Sequence, residues 1–180
     1  MSPLVQALPE RAIDSTPILG AIERLASERR RGVTFVRARG RRVVPYADLV
    51  DRVRRVASAL RSRGLHPGDA VVVVLPDPEE AIAAILGAMA AGVVPVPIYP
   101  PTGLEAMPTF LRHLAHLLER SGALRVIAAA RLMPFLGAVP QPVDAFAALL
   151  DAAPGPFERP SADDTAFLSS RPAPPPRRAA

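Results

Sequence analysis

A continuous apolar run, Ala70 to Leu75, constrains the fold of this chain more than any other feature. A strand that is hydrophobic on both faces is typical of a parallel sheet covered by helices on each side. A turn-forming segment, Leu65 to Asp69, precedes the run, and a short helix is predicted after it over 78–91. A second strand is predicted over 93–99. This alternation indicates right-handed crossovers, and therefore an α/β fold.

The rest of the sequence extends this pattern in both directions. Apolar stripes predict a helix at 18–26 and a longer one at 47–63, with Gly64 as its left-handed cap. A hairpin is predicted between these helices. Later elements are a helix at 107–121, a strand at 125–129, weak helices near 131–137 and 144–152, and a strand that starts within 161–168. We therefore expect a partial doubly wound, mostly parallel sheet flanked by helices.

Two prolines in the second strand carry further information. Pro95 and Pro97 are two residues apart, so both missing N–H groups lie on the same side of the strand. A ladder cannot be completed on that side. The strand is therefore predicted to lie at an edge of the sheet, or to pair irregularly on one flank.

Composition suggests four segments along the chain. We expect a flexible leader at 1–16, an α/β unit at 17–153, a linker and truncated strand at 154–170, and a disordered Pro/Arg-rich tail at 171–180. The charge-free stretch from 81 to 104 approaches the length of a membrane-spanning helix, but it contains Gly92 and four prolines, which argue against one. No secretory signal is visible, so a cytoplasmic location is expected.

Charge is distributed unevenly. All 22 basic residues are arginine; residues 1–63 hold fourteen of them against six acids, whereas residues 64–170 hold five against eleven. One interpretation is a nucleic-acid or anionic-surface binder that uses residues 29–63, including Arg29, Arg30, Arg41 and Arg42. The alternative, which we favour, is that these arginines lie on solvated faces of a hairpin and a helix. Two acid-first pairs support it, Asp48 with Arg52 and Asp51 with Arg55.

No catalytic or metal-binding residue is assigned from local motifs. His113, His116 and Glu119 have a spacing that permits metal ligation on a helix, but they lie beside or opposite its apolar stripe, so solvated side chains are expected. The acids Asp77, Glu79 and Glu80 flank a helix start, where the helix dipole favours negative charge. The absence of cysteine excludes disulfides and thiolate metal sites.

Several segments, in this order and at these distances, resemble the N-terminal part of the adenylate-forming acid ligases. They are Thr34-Phe35, Tyr46 to Leu49, Gly64 to Asp69, Gly92 to Pro101 and Asp163 to Leu168, and the Tyr99-Pro100-Pro101 end resembles the fatty acyl-AMP ligase branch. The resemblance implies the N-terminal α/β subdomain of an enzyme that activates a fatty acid with ATP and Mg²⁺. It also implies transfer of the acyl group to a carrier-protein thiol or to coenzyme A.

In that family, the segment matching Asp163 to Leu168 runs into a Ser/Gly/Thr-rich phosphate loop that ends in lysine. Here Ser169 and Ser170 alone match the start of the loop, and the chain contains no lysine. Because phosphoryl chemistry depends on positioned cations, the isolated chain is expected to be inactive and to bind no cofactor. Residues 172–175 are Pro-Ala-Pro-Pro, which is what GC-rich codons for Gly-Ser-Thr encode when they are read one frame over. This match suggests a frameshift within the loop, and the alternative is a genuine Pro/Arg-rich tail.

Two further expectations follow from an incomplete ligase fold. An exposed sheet edge favours self-association. The chain could also be an interaction fragment that docks on a separately encoded ligase remainder.

Overall fold

A computed structural model describes residues 18–37, 40–101, 103–158 and 163–169. The predicted leader at 1–16, the tail at 171–180 and Ser170 lie outside these residues. The elements, in chain order, are α1 Ile18–Glu23, β1 Gly32–Arg37, β2 Gly40–Pro45, α2 Tyr46–Ser62, β3 Ala70–Val74, α3 Pro78–Ala90, β4 Val94–Pro97, α4 Met107–Ser121, β5 Arg125–Ala128, β6 Val143–Ala145 and α5 Phe146–Leu149. Two 3₁₀ segments lie at Leu104–Ala106 and Ala130–Phe135.

The main sheet has the strand order β4-β3-β5-β6, and all of its pairings are parallel. Every residue of β3 is buried, because neighbouring strands flank it on both edges and side chains cover it on both faces. The α/β fold with a parallel sheet, predicted from the apolar run at 70–75, is confirmed. The hairpin β1–β2 is a separate antiparallel sheet.

The edge position of the second predicted strand is also confirmed. Among the described strands, β4 lies at one end of the main sheet and pairs with β3 alone. The N–H groups of Val94 and Ile98 donate to carbonyl oxygens of Asp69 and Val73, at 2.7 and 3.0 Å. Strand alternation then places both prolines on the opposite side, as their spacing predicted.

Close packing of α2 against α3 holds one layer of helices together. Alternating three- and four-residue steps bring Val53, Val56 and Leu60 of α2 into the core. Gly87 of α3 lies so close to this face that a Cβ atom there would come within 2.5 Å of Val56. After α2, Gly64 adopts a positive φ of 82°, as expected of a residue that follows a helix end.

Three predicted elements differ from what the sequence indicated. The helix near 131–137 is a 3₁₀ helix, Ala130–Phe135, because Pro134 within it cannot donate a helical hydrogen bond. The helix near 144–152 is confirmed only as the single turn of α5, because strand β6 occupies residues up to Ala145. The described part of the strand at 161–168, residues 163–168, forms no regular strand. No helix in the described ranges combines the length and apolarity that a bilayer crossing requires.

Candidate functional site

A cleft of about 490 Å³ opens at the carboxyl ends of β3 and β5. The chain leaves β3 to form β4 on one side and later returns to form β5 on the other side. In open α/β sheets, ligands bind in the crevice at such a reversal of strand order. The lining residues follow β3 and β5 in the chain, with one contribution from the end of β1: Pro76, Asp77, Pro78, Glu80, Ala129, Ala130, Arg131 and Arg37.

The start of α3 forms one wall of this cleft. Asp77 is the N-cap, and its Oδ1 accepts a hydrogen bond from the N–H of Glu79 at 2.9 Å. Pro78 occupies the first turn, where its missing N–H has no helical partner to lose. The helix start predicted at this point is therefore confirmed, with the acids in the positions that the helix dipole favours.

Glu79 is a buried carboxylate, with 4% of its surface exposed. Three guanidinium groups surround it. Arg52 of α2 donates to it, and Arg37 and Arg42 of the hairpin lie 3.4 and 3.5 Å away. Since burial of an unpaired carboxylate is strongly unfavourable, these contacts offset the burial of Glu79 and tie the hairpin and α2 to α3.

Arg52 therefore does not pair with Asp48, as the i,i+4 spacing had predicted. Its guanidinium turns to the more buried carboxylate of Glu79. Asp48 lies instead 3.9 Å from Arg29. The second predicted pair is confirmed, because Arg55 donates to Asp51 at 2.7 Å.

Glu80 faces the cleft and has an altered acidity. Burial raises the pKa of its carboxyl, and the negative charges of Asp77 and Glu79 raise it further, whereas Arg131 and Arg37 oppose the shift. The cleft thus carries two carboxylates and two guanidinium groups on its walls. The described lining includes no Ser, Thr, Cys or His, so this arrangement offers polar binding groups without a nucleophile.

Ser169, the predicted start of a phosphate loop, is exposed and is not part of the cleft lining. Its neighbour Leu168 donates its backbone N–H to the carbonyl oxygen of Pro95 in β4 at 3.0 Å. The structure therefore attaches this segment to the open edge of the sheet. Ser170 lies outside the described residues, so the assignment of both serines to a phosphate loop stays a prediction.

The histidines predicted to be solvated are exposed. His113 and His116 lie with Glu119 on the outer side of α4, and His66 occupies the turn before β3. In the part of the chain that the structure describes, no group of three His, Asp or Glu side chains is arranged to hold a metal ion.

The arginine-rich first third is largely neutralised by acids. Among the described residues of this region, at least nine arginines lie within 4.0 Å of carboxylate oxygens; they include Arg29, Arg31, Arg37, Arg42, Arg52, Arg54, Arg55, Arg61 and Arg63. Several partners lie late in the sequence, including Asp144 and Glu158. This pairing favours the interpretation of the arginines as structural and solvated over a free cationic binding face.

Arg131 was not singled out from the sequence, and its place in the cleft depends on strand order. It follows β5, whereas Glu80 follows β3, and the two strands are neighbours only because the chain reverses direction across the sheet. Its position in the sequence could have indicated it. Polar residues directly after a parallel strand are candidates for ligand binding, because ligands bind at the carboxyl ends of such strands.

Comparison with known proteins completes this description. A family model described as AMP-binding enzyme matches residues 22–178. The chain belongs to the AMP-binding enzyme family. The family resemblance expected from Gly64 to Asp69, Gly92 to Pro101 and Asp163 to Leu168 is thereby confirmed.

Individual members of the AMP-binding enzyme family show how much of the fold is present. The phenyloxazoline synthase MbtB of Mycobacterium tuberculosis is 37% identical over 122 residues, which are 68% of this chain and 8% of that protein. A structure from a study of fatty acyl-adenylate ligases from E. coli and L. pneumophila matches with a TM-score of 0.77 at 23% identity, covering 88% of this chain and 30% of the other. A benzoate CoA ligase from Burkholderia xenovorans matches with a TM-score of 0.63 at 30% identity, covering 84% and 32%.

The chain therefore spans about a third or less of the length of these relatives. The likeness to the fatty acyl-adenylate ligase, at 23% identity, establishes the fold.

Proposed function

We propose that this chain is the N-terminal α/β part of a ligase that activates a fatty acid with ATP and Mg²⁺ to an acyl-adenylate. The acyl group would then pass to the thiol of a carrier protein or of coenzyme A. The family match over residues 22–178 carries this proposal. The Tyr99-Pro100-Pro101 end of the β4 segment and the fold shared with fatty acyl-adenylate ligases support the fatty acid as substrate.

The residues of this chain do not fit the demands of that reaction. Attack of a carboxylate on the α-phosphorus of ATP, with pyrophosphate leaving, develops negative charge that positioned cations must offset. The chain contains no lysine, and in its described residues no group of three His, Asp or Glu side chains is arranged to hold a metal ion. The cleft at β3 and β5 offers Arg37 and Arg131, but Asp77 and Glu80 beside them repel an anion. These features support the proposal that the chain is inactive by itself.

An ATP–pyrophosphate exchange assay on the purified chain tests this conclusion. With fatty acids of several lengths, ATP and Mg²⁺, the expected exchange equals that of a protein-free blank. An intact fatty acyl-adenylate ligase from L. pneumophila is the positive control. Exchange above the blank with any fatty acid would overturn the proposed inactivity.

A chimera tests the assignment to the ligase scaffold. Residues 18–169 of this chain replace their counterpart in the L. pneumophila ligase, so that the recipient supplies the phosphate loop and all later segments. Recovery of exchange activity is the expected outcome, because the fold of the grafted part is the same. A chimera that folds, as judged by circular dichroism and a cooperative thermal transition, but shows no exchange would contradict the proposal.

A second candidate substrate is an aromatic acid. The observation that favours it is the 30% identity with a benzoate CoA ligase over 84% of the chain, which exceeds the identity with the fatty acyl-adenylate ligase. The DNA beyond codon 170, read in all three frames, is the test for both candidates. If one frame encodes a ligase-like continuation, the protein that includes it should show ATP–pyrophosphate exchange with a fatty acid and not with benzoate. Exchange with benzoate and not with a fatty acid would identify an aromatic acid as the substrate.

A further possibility is that this chain docks on a separately encoded ligase remainder. Its pull-down from an extract of the source cells, followed by mass spectrometry, should then recover a polypeptide with the missing phosphate loop. Recovery of DNA in a salt-dependent manner, lost when Arg29, Arg30, Arg41 and Arg42 are replaced by glutamine, would instead support the nucleic-acid interpretation.

A further inference from the structure

The outer edge of β4, meaning the side of Val94–Pro97 turned away from β3, has an unusual hydrogen-bonding character. Val94 and Ile98 direct their N–H groups to β3, so alternation turns the backbone of Pro95 and Pro97 to the outer edge. Proline has no N–H group. This edge consequently presents carbonyl oxygens at both positions and no donor at either.

The chain itself shows what such an edge can accept. The N–H of Leu168 donates to the carbonyl oxygen of Pro95 at 3.0 Å. Among the described residues, this is the one backbone hydrogen bond received by the outer edge at its two proline positions. Leu168 thus donates a backbone hydrogen bond to this edge and does not depend on a donor from Pro95 or Pro97.

We propose that the outer edge of β4 is a selective pairing edge, which accepts the chain's own segment 163–169 through Leu168 and excludes a second copy of β4. When positions 95 and 97 of two such edges lie opposite each other, carbonyl oxygens face carbonyl oxygens, in either strand direction. No N–H···O bond can form there, and the buried carbonyl groups would remain unsatisfied.

This exclusion matters because the surroundings of the edge are apolar. Tyr99, two residues after the end of β4, has 94% of its surface exposed, and Phe167 and Leu168 have 57% and 40% exposed. Exposed apolar side chains beside an open sheet edge favour association between copies. The two prolines oppose that association, so the self-association expected from an incomplete sheet should not proceed through β4.

Restoring the donors tests the proposal. The double variant Pro95→Val, Pro97→Val returns two N–H groups to the outer edge, with a residue that suits strands. Sedimentation velocity should show the wild-type chain as a monomer of 19.1 kDa, and the double variant as dimers or larger species at the same concentration. The matched control is Pro100→Val, Pro101→Val, which replaces two prolines just beyond the strand and should remain monomeric.

Two outcomes of this experiment would overturn the proposal. One is a folded double variant that remains monomeric up to the concentrations used for NMR. The other is a wild-type chain that dimerises and loses its dimer when β4 is altered. Circular dichroism and a cooperative thermal transition establish folding in each case.

Amide hydrogen exchange on the wild-type chain, resolved by residue, provides a test that needs no variant. The Leu168 amide should exchange about tenfold more slowly than the amides of Phe167 and Ser169, whose donors are not bonded to β4. Leu168→Pro in the full chain removes this donor, and Phe167→Pro is its matched control. The first should expose the segment to limited proteolysis, and the second should do so less. Equal exchange at Leu168, Phe167 and Ser169 would refute the docking of the segment.

Discussion

Strand β3 and the segment 163–169 differ both in composition and in their place in the fold. β3 consists of Ala and Val only, whereas 163–169 starts with two Asp and has Ala166, Phe167 and Leu168 as its apolar residues. Each residue of β3 is buried, with strands on both of its edges and helices over the sheet. Each residue of 163–169 is exposed, and the segment holds to the sheet through the N–H of Leu168. A short apolar stretch such as 166–168 therefore does not become a buried strand through its own residues. In the described part of the chain, it is bonded to the sheet at one position and its side chains stay exposed.

Truncation of a buried and of an exposed leucine should affect stability very differently. Leu114 of α4 is fully buried, so Leu114→Ala should lower the free energy of unfolding by about 2–5 kcal/mol. Leu168→Ala at the edge should change it by less than about 0.5 kcal/mol, because most surface substitutions do little. Urea unfolding monitored by circular dichroism measures both. A loss of similar size in the two variants would show that the edge segment belongs to the core.

A buried carboxyl group, Glu79, can be compared with an exposed one in the same way. Glu79→Gln leaves the guanidinium groups of Arg37, Arg42 and Arg52 without their shared carboxylate, and should cost about 3 kcal/mol of unfolding free energy. The matched control is Glu119→Gln on the exposed side of α4, which should be nearly neutral. If both variants unfold at the same urea concentration, the network around Glu79 contributes no net stability.

Tight packing in the core should also resist a single added methyl group. Gly87→Ala would place a Cβ atom 2.5 Å from Val56, a fully buried side chain with little room to move. We expect a loss of about 1–3 kcal/mol, even though alanine favours helices more than glycine does. Gly137→Ala is the control, since a Cβ there meets no atom within 4 Å. A Gly87→Ala variant more stable than wild type would contradict the close approach of α2 and α3.

The smallest expected effect concerns Glu80 and depends on pH. Because the folded state raises the pKa of its carboxyl, the folded protein binds more protons than the unfolded chain between the ordinary and the raised value. Stability contributed by this group is therefore lost as pH rises through that window. Glu80→Gln should raise the melting temperature at pH 7 and have less effect below the ordinary pKa of glutamate. A lower melting temperature of the variant at pH 7 would contradict this sign.

Several elements of the fold could be predicted from the sequence alone. The apolar run at 70–75 indicates a strand buried on both faces, the stripe from Leu49 to Leu60 indicates the helix now seen as α2, and the two prolines of β4 indicate an edge. Each of these features is local, because side-chain period and the missing N–H of proline act within one element.

Strand order, and with it the cleft and the ion pairs, depended on contacts between distant residues. β6 has only three residues, too few for a recognisable period, and it forms because β5 supplies its hydrogen bonds. Asp144 within it accepts from Arg125 at 2.8 Å and from Arg63 at 2.9 Å, across 19 and 81 positions of the chain. Arg131 and Glu80 face one cleft for the same reason. Pairing of strands in the sheet brings together the ends of strands that are distant in the sequence. No local sequence pattern relates these ends, so contacts between their side chains depend on the tertiary structure.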